Sequence, residues 1–362
     1  MHIVYTPLHA CHDPTAAFVH GKQFESKELP ARIEVIREAL ASAKLGPITN
    51  PIDYGREPIL AVHDAGYIAY LETIYQRFAP HIDELPPAGK DVPVLANRTE
   101  VDPTRAARMP DALAEFIDYY TYDFEDPILA DTWNAAYWSA QVALTAAGLV
   151  WRGAGAAYAL CRPPGHHAIA DRYGGFCYLN NAAIAARFLC GAGPVAVLDI
   201  DYHHGNGTQS IFYQDPRVLT VSLHADPTFD YPYYWGFAHE RGAGPGTGTN
   251  LNLPLPQGTD DDVYLTALKE ALDAIRRFAP AHLVVSMGLD AIKGDAIGKF
   301  NVTLDGWAEV GRRVAALALP TIIVQEGGYR LDQLGASALA FLSAFAGGGR
   351  APPDAYAIET GV

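Results

Sequence analysis

The chain is acidic and rich in apolar residues. It contains 362 residues, 49% of them hydrophobic and 19% charged, and its formal net charge is −15. This balance supports a buried globular core and excludes an intrinsically disordered chain. Binding to nucleic acid or to an anionic membrane needs clustered Lys and Arg, so the charge argues against both and suits a small cationic substrate.

The first 130 residues show fewer regular patterns than the rest. They predict a short opening strand, a helix beginning near Pro30 and a helix over residues 67–77. Residues 80–130 carry several prolines, little periodicity and a cluster of acids and aromatics. This stretch is too long for an ordinary connection, so it is predicted to be an insertion with a functional or subunit-contact role.

After position 130 the sequence alternates between helical and strand patterns. Helices are predicted over residues 133–152, 179–190, 264–278 and 304–318, and strands over residues 156–161, 195–201, 218–224, 282–290 and 320–327. Such alternation is typical of a mostly parallel sheet with helices on both faces. We therefore predict one α/β domain over residues 1–350, with the insertion at 80–130, and a C-terminal tail over residues 351–362.

Two features concern the cellular compartment. The opening MHIVYTPLHACHDP has no basic segment followed by an apolar one, and no run approaches the roughly 20 apolar residues of a membrane span. Cys11, Cys161, Cys177 and Cys190 form no CxxC pair. A cytoplasmic protein with reduced, structural cysteines is therefore expected.

Unusual polar residues follow four of the predicted strands. His166 and His167 follow the first in the run CRPPGHH, Asp199, Asp201 and His203 end the second, Asp290 ends the third, and Tyr329 follows the fourth. In an open α/β sheet, ligands bind beyond the carboxyl ends of the strands, where such loops meet. The sequence thus predicts a catalytic pocket at this edge.

Asp201, His203 and Asp290 are predicted to bind a metal ion. Asp201 and His203 are alternate residues, which face the same side of a strand, and Asp290 would complete three protein ligands. Three ligands leave a position for water, which a metal makes acidic and nucleophilic. An Asp-x-His at a strand end can instead cap the next helix, but the convergence with Asp290 and the paired histidines favours a metal.

The stiff Pro163-Pro164-Gly165 turn would expose the histidines His166 and His167, one of which can act as a general base. Two histidines on a surface loop are more often solvated without a role. Their place at the same sheet edge favours catalysis. The run GAGPGTG at 242–248 superficially matches a phosphate loop, but it leads into the strand-like TNLNLPL, so that interpretation is rejected.

Together these motifs resemble those of the histone-deacetylase-like amidohydrolases of the arginase/deacetylase superfamily. The runs that carry the resemblance stand in that family's order over about residues 1–345, and they are CRPPGHHA, GGFCYLNNAAIAA, LDIDYHHGNGTQ, TVSLH, SMGLD and QEGGY. The resemblance implies an arginase/deacetylase fold. It also implies a zinc-dependent deacetylase, although the Asp/His/Asp set suits Fe²⁺ or Co²⁺ as well.

The resemblance implies a role for each motif residue. Asp201, His203 and Asp290 would be the metal ligands, His167 the general base and acid, His166 its electrostatic partner and Tyr329 the oxyanion donor. Asp199 and Asn206 would orient His166 and His167 respectively. Many protein deacetylases have Asp where Asn206 stands, which places this chain nearer to the acetylpolyamine amidohydrolases.

The resemblance also implies binding residues. Phe176, preceded by Gly175, and Tyr231 would line the acyl-chain tunnel, and Arg32 would line an internal acetate-release channel, although a helix-start Arg is commonly a surface charge. A structural K⁺ or Na⁺ is expected, held mainly by backbone carbonyls of Asp199, Asp201, His203, Ser222 and Leu223.

The insertion suggests what the substrate is. The run EFIDYYTYDFEDPILADTW contains Glu115, Asp118, Asp123, Glu125 and Asp126 beside several tyrosines. In the acetylpolyamine amidohydrolases a comparable insertion closes a homodimer and narrows the entrance, and Glu125 best matches the acid that meets the substrate's distal ammonium. We therefore expect a homodimer that acts on acetylated polyamines or diamines, although a solvated acidic loop would have the same composition.

Other functions remain open at this point. A protein lysine deacetylase would share the motifs. An arginase-like ureohydrolase would need further aspartates for a second metal, and Asp295, five residues beyond Asp290, is a candidate, but the HH and GGY motifs favour the deacetylases. A non-catalytic acetyl-ligand module is disfavoured because the predicted catalytic residues are all present.

Overall fold

The central feature of the fold is an eight-stranded parallel sheet. The computed structural model describes residues 1–14, 16–19, 22–79, 119–123 and 126–348. Within those ranges the strands of the sheet are β1 (His2–Val4), β4 (Ile48–Thr49), β5 (Ala156–Ala159), β6 (Val195–Asp199), β7 (Val218–Ala225), β8 (Asn250–Leu255), β9 (His282–Met287) and β10 (Thr321–Gln325). Their spatial order is β4-β1-β5-β10-β9-β6-β7-β8. Strands β2 (Ala16–Val19) and β3 (Lys22–Glu25) form a separate antiparallel hairpin.

Helices connect the strands. In the described part of the chain they are α1 (Ala31–Ser42), α2 (Glu57–Leu60), α3 (Ala65–Phe78), α4 (Thr132–Trp151), α5 (Asn181–Leu189), α6 (Asn206–Phe212), α7 (Asp261–Phe278), α8 (Leu304–Ala315) and α9 (Leu331–Gly348). Several begin at a polar cap: the side chains of Asn180, Asp260 and Thr303 accept a hydrogen bond from a backbone N–H in the first turn of α5, α7 and α8.

The sheet is buried on both faces. Along β6, Val195 and Val197 pack into one apolar cluster with residues of α3, α4 and α5, whereas Ala196 and Leu198 pack into a second cluster with residues of α1, α7, α8 and α9. Successive side chains of a strand point to opposite faces, so a strand covered on both sides needs a continuous apolar run. The predicted α/β fold with helices on both faces is confirmed.

Four of the five predicted strands end earlier than the sequence pattern indicated, whereas β7 runs one residue further, to Ala225. Strand β6 ends at Asp199 and β9 at Met287, so Asp201, His203 and Asp290 lie in loops, and the expectation that Asp201 and His203 alternate along a strand is wrong. The physical reason is that side chains capture the backbone there: Asp199 accepts from the N–H of Asp201, and Asp201 accepts from that of His203.

Several elements of the structure were not predicted. The short β4, the β2–β3 hairpin and helices α2, α6 and α9 have no counterpart among the predicted elements. Of the insertion, residues 80–118, 124 and 125 lie outside the described ranges, as does the tail over 351–362. Among the residues that the structure does describe, no helix combines the length and the apolar character needed to cross a membrane.

Candidate active site

Four neighbouring strands carry the candidate site. Strands β5, β10, β9 and β6 are consecutive in the sheet, and the loops beyond their carboxyl ends bear the paired histidines, Tyr329, Asp290 and the Asp201–His203 pair. In a parallel sheet these ends share one edge. The predicted convergence of the four loops therefore holds in the structure.

Asp201, His203 and Asp290 form a buried cluster of donor atoms. One ligand atom from each lies within 4.8 Å of the others, and all three residues are buried. Nδ1 of His203 is 3.0 Å from Oδ2 of Asp290 and 3.4 Å from Oδ1 of Asp201. Two carboxylates and an imidazole converging in the interior are a donor set that Zn²⁺, Fe²⁺ and Co²⁺ accept.

The backbone fixes the two carboxylates. The N–H of Gly327 donates to Oδ2 of Asp201 (2.8 Å), and the N–H of Tyr202 donates to Oδ1 of Asp290 (3.0 Å). A Cβ at Gly327 would lie 2.5 Å from Oδ2 of Asp290 and 2.6 Å from Oδ2 of Asp201, closer than a carbon atom can approach. Only glycine lets this strand end approach the cluster so closely.

Burial and the second carboxylate raise the pKa of Asp290 to about 7. Burial is the larger cause and the nearby charge of Asp201 the second, and a divalent cation bound between the two carboxylates would offset both. The arrangement therefore fits a metal site better than a site for a neutral ligand.

His166 lies between two carboxylates. Its Nδ1 donates to Oδ2 of Asp199 (3.0 Å), and its Nε2 is 3.8 Å from Oδ1 of Asp201. Burial alone would lower the pKa of His166, but the charges of Asp201 and Asp199 outweigh it and raise the pKa to about 10. The structure thus favours a protonated His166.

His167 has the opposite environment. Burial, together with the neighbouring His166 and His203, holds the pKa of His167 well below its usual value. Its Nδ1 is 2.7 Å from the amide oxygen of Asn206, which can only accept, so Nδ1 carries the proton and Nε2 presents a lone pair. A neutral imidazole in this tautomer can take up a proton, as a general base must.

Tyr329 is buried beside an arginine. The guanidinium of Arg32 lies 4.6 Å from the centre of the Tyr329 ring and donates to the backbone oxygens of Gly328 and Glu326. Arg32 is fully buried and also pairs with Glu28. It is therefore not the solvated surface charge considered from the sequence, and it fixes the turn that carries Tyr329.

Phe176 and Tyr231 flank the catalytic residues. The ring of Phe176 is 5.9 Å from that of Tyr329, and the ring of Tyr231 is 4.9 Å from His167 and 6.2 Å from His203. Gly175 and Phe176 both have positive φ, at 59° and 67°. A Cβ at Gly175 would overlap the ring of His167, so glycine is required for the wall to reach the base.

Two acids of the predicted insertion support this wall. Oδ2 of Asp123 accepts from the N–H of Gly175 and from the hydroxyl of Tyr231, both at 2.7 Å, and Oδ1 of Asp126 accepts from the N–H of Phe176. The carboxylates therefore fix a turn in which Phe176 adopts a conformation that non-glycine residues rarely take. The sequence placed both acids in a substrate-attracting patch and gave no sign of these contacts.

Tyr122 and Glu326 also support the site without having been predicted. The hydroxyl of Tyr122 donates to the backbone oxygen of His167 (2.8 Å) and accepts from the amide of Asn206 (3.3 Å). Oε2 of Glu326 accepts from the N–H groups of Gly165 (2.7 Å) and His166 (3.2 Å). The one available signal was that Glu326 is a charged residue near the end of the strand predicted over residues 320–327.

Asp295 accepts hydrogen bonds from the backbone beside the site. Its Oδ2 accepts from the N–H of Tyr329 (2.7 Å) and of Arg330 (3.2 Å), and its Oδ1 accepts from that of Ile297 (2.8 Å). In the described ranges the metal-compatible cluster contains Asp201, His203 and Asp290 without Asp295. Among the described residues, Asp295 therefore serves to hold the backbone of the Tyr329 turn.

The predicted K⁺ or Na⁺ site and the predicted substrate contact of Glu125 stay predictions. Ser222 pairs with Asp199 across β6 and β7, and its hydroxyl is 2.8 Å from Nδ1 of His224. The carbonyl set of Asp199, Asp201, His203, Ser222 and Leu223 as a site for K⁺ or Na⁺ stays a prediction. Glu125 lies outside the described residues.

Comparisons with known proteins identify the family. A family model described as the histone deacetylase domain matches residues 26–345. Acetylpolyamine amidohydrolase 1 of Pseudomonas aeruginosa is 42% identical over 351 residues, which cover 96% of this chain and 99% of that protein. A crystal structure of acetylpolyamine aminohydrolase from Burkholderia pseudomallei has a TM-score of 0.90 at 42% identity and covers 97% of this chain and 100% of its own.

A plant relative matches over a shorter stretch. Histone deacetylase 8 of Arabidopsis thaliana is 39% identical over 217 residues, which cover 55% of this chain and 56% of that protein. The family model, in contrast, spans most of the chain, and the two bacterial relatives match 96% and 97% of it. The chain therefore belongs to the histone deacetylase domain family.

Proposed function

We propose that the chain is a metal-dependent amidohydrolase that removes acetyl groups from small acetylated polyamines or diamines. The observation that carries the proposal is the buried Asp201–His203–Asp290 cluster with the imidazoles of His166 and His167 beside it, held by Asp199 and Asn206. Three relatives that match over 97% or more of their own length are named acetylpolyamine amidohydrolases. The histone deacetylase of Arabidopsis thaliana matches over about half of the chain.

Asp201, His203 and Asp290 would hold the metal, and we propose Zn²⁺, with Fe²⁺ or Co²⁺ as alternatives for the same donors. When bound, the ion supplies Lewis acidity that polarises the acetyl carbonyl and makes a water molecule more acidic. The cluster is buried, which strengthens electrostatic interactions within it.

The side chains of the site would supply the other catalytic groups. Nε2 of His167 takes a proton from the attacking water and later gives it to the leaving amine, while protonated His166 stabilises the developing negative charge. The hydroxyl of Tyr329 donates to the oxyanion. Asp199 and Asn206 hold the two imidazoles in the required orientation and tautomer through the contacts described above.

Other parts of the proposal rest on the family resemblance. They are a homodimer, a structural K⁺ or Na⁺, contact of Glu125 with the distal ammonium, and an acetate path lined by Arg32. The neutral amide of Asn206, where many protein deacetylases have Asp, also supports a polyamine substrate. A location in the cytoplasm stays a prediction.

A comparison of substrates tests the proposal. Purified protein would be assayed with acetylputrescine and with an acetyl-lysine peptide, and its metal content would be measured without added metal. We expect the acetylated diamine to have the higher kcat/KM and one divalent transition metal to be retained per chain. A clear preference for the peptide, or hydrolysis by metal-free protein, would contradict the proposal.

A further inference from the structure

Three consecutive aromatic side chains are exposed beside the candidate site. Within the described ranges few large apolar side chains reach solvent, and three of them are neighbours: Tyr233 is 45% exposed, Tyr234 80% and Trp235 37%. Single exposed apolar residues are ordinary, but a contiguous exposed patch marks a binding surface. We call residues 230–236 the mouth loop.

The mouth loop is continuous with the catalytic residues. The ring of Tyr231 lies 4.9 Å from His167, and the ring of Tyr233 follows 6.4 Å from Tyr231. On the other side the ring of Trp235 is 5.9 Å from that of Tyr122, whose hydroxyl contacts the backbone of His167. Two rows of aromatic rings thus lead from the base to the surface.

The loop holds these rings in place. At its beginning, Asp230 accepts from the N–H groups of Tyr231 and Tyr233. At its end, the N–H of Gly236 donates to Glu240 (3.0 Å) and its carbonyl is 2.9 Å from Nε2 of His224. Because both ends are fixed by hydrogen bonds, exposure of the aromatic rings is built into the loop.

The chemistry of the surface favours a cation. Aromatic faces carry negative potential and attract ammonium groups while also covering methylene chains. The carboxylate of Asp123 lies at the same opening, hydrogen-bonded to Tyr231 (2.7 Å). Asp230 pairs with Lys299 (2.7 Å), so its charge is balanced. An aliphatic polyammonium chain leaving the tunnel matches these surroundings, whereas an anionic or neutral tail gains less.

We propose that Tyr234 and Trp235 form a subsite for the distal ammonium group of the acetylated substrate. This inference rests on the proposed function and adds the residues that would select a long cationic tail. The subsite lies within the described residues and is separate from Glu125. A second copy of the chain is the competing occupant of this patch, and the experiment below separates the two.

The test compares a cationic with a neutral substrate. Tyr234→Leu and Trp235→Leu keep apolar surface but remove the aromatic faces, and Trp235→Phe keeps a face. With acetylspermidine, both Leu variants should show a KM raised by about three- to tenfold at similar kcat, the size of a cation–π contact. The KM for N-butylacetamide should change less than about twofold in both Leu variants. Trp235→Phe should have a KM for acetylspermidine close to that of the wild type, because it keeps an aromatic face.

Two controls accompany the kinetics. Trp151→Leu removes another exposed Trp, which ends α4 shortly before β5 begins and so lies at the opposite edge of the sheet. This variant should leave the KM of both substrates unchanged. Calorimetric binding of unacetylated spermidine should weaken in Trp235→Leu but not in Trp151→Leu, which tests the subsite without turnover.

The outcomes distinguish the two levels of the proposal. Equal losses on both substrates, or unchanged binding of spermidine, would overturn the subsite. A change of oligomeric state in Trp235→Leu, seen by sedimentation, with unchanged spermidine binding would assign the patch to a subunit contact instead. Wild-type protein that hydrolyses neither substrate would contradict the proposed function, while the binding measurement would still decide the subsite.

Discussion

The carboxylate of Glu326 accepts a 2.7 Å hydrogen bond from the backbone N–H of Gly165. The same oxygen accepts from the N–H of His166, and the backbone oxygen of Glu326 accepts from Arg32. Glu326 directly follows β10 and stands three residues before Tyr329. One buried side chain thus ties the turn that carries the general base to the turn that carries the oxyanion donor.

Glu326→Ala should therefore lower kcat by about 10- to 100-fold, the usual effect of removing a residue that orients a catalytic group. Glu326→Gln keeps an acceptor oxygen for the two N–H groups and should lose much less. The check is kcat and KM for acetylputrescine, with metal content and thermal unfolding measured in parallel. Equal kcat losses in both variants would show that the charge, and not the acceptor, matters.

Loss of a protein ligand should abolish both the binding of the metal and catalysis. Asp201→Ala and His203→Ala each remove one of three protein donors, so the purified variants should contain little metal and show no hydrolysis. Elemental analysis and an acetylputrescine assay check this. Glu270→Ala, on the exposed surface of α7, is the control and should retain both. Full metal content in both ligand variants would refute the assignment.

Tyr329→Phe should separate chemistry from folding. The ring is buried and packs against Phe176 and Arg32, contacts that Phe can keep. Removing the hydroxyl takes away one oxyanion donor, so kcat should fall on the order of 10²- to 10³-fold with KM and metal content largely unchanged. Steady-state kinetics decide the matter, and near-normal kcat would remove Tyr329 from the mechanism.

Much of this site could be predicted because its chemistry follows local sequence rules. Apolar runs marked the strands, and the polar residues after them had to meet at one edge of a parallel sheet. The end of β6 was misplaced, since Asp199 and Asp201 accept hydrogen bonds from the backbone that follows it with their own side chains. Whether a side chain or a neighbouring strand accepts a backbone hydrogen bond depends on local geometry, which the pattern of hydrophobic residues does not contain.

Contacts between distant segments could not be predicted from the sequence. Asp123 and Gly175 are 52 positions apart, and Glu326 and Gly165 are 161 apart. A carboxylate in an acidic run has the same sequence signature whether it faces solvent or caps a buried turn. Burial of Arg32 likewise depends on its carbonyl partners at Glu326 and Gly328, which its helix-start position does not indicate.

The acidic run of the insertion divides into two parts with different consequences. Asp123 and Asp126 fix the backbone of Gly175 and Phe176. Replacing either acid should therefore lower the hydrolysis of cationic and neutral substrates alike. Glu125 is the acid whose predicted role is selective. A comparison of substrates can therefore separate a residue that builds the tunnel from one that recognises charge.

Glu125→Gln should lower kcat/KM for acetylputrescine and acetylcadaverine much more than for N-butylacetamide, because only the first two carry an ammonium for the carboxylate to attract. We expect about a tenfold selective loss, equivalent to about 1.4 kcal/mol. Glu270→Gln removes the same charge from the surface of α7 and controls for the change in net charge. Raising the ionic strength should reduce the wild-type preference for cations but affect Glu125→Gln less. Equal losses on charged and neutral substrates would show that Glu125 does not select cations.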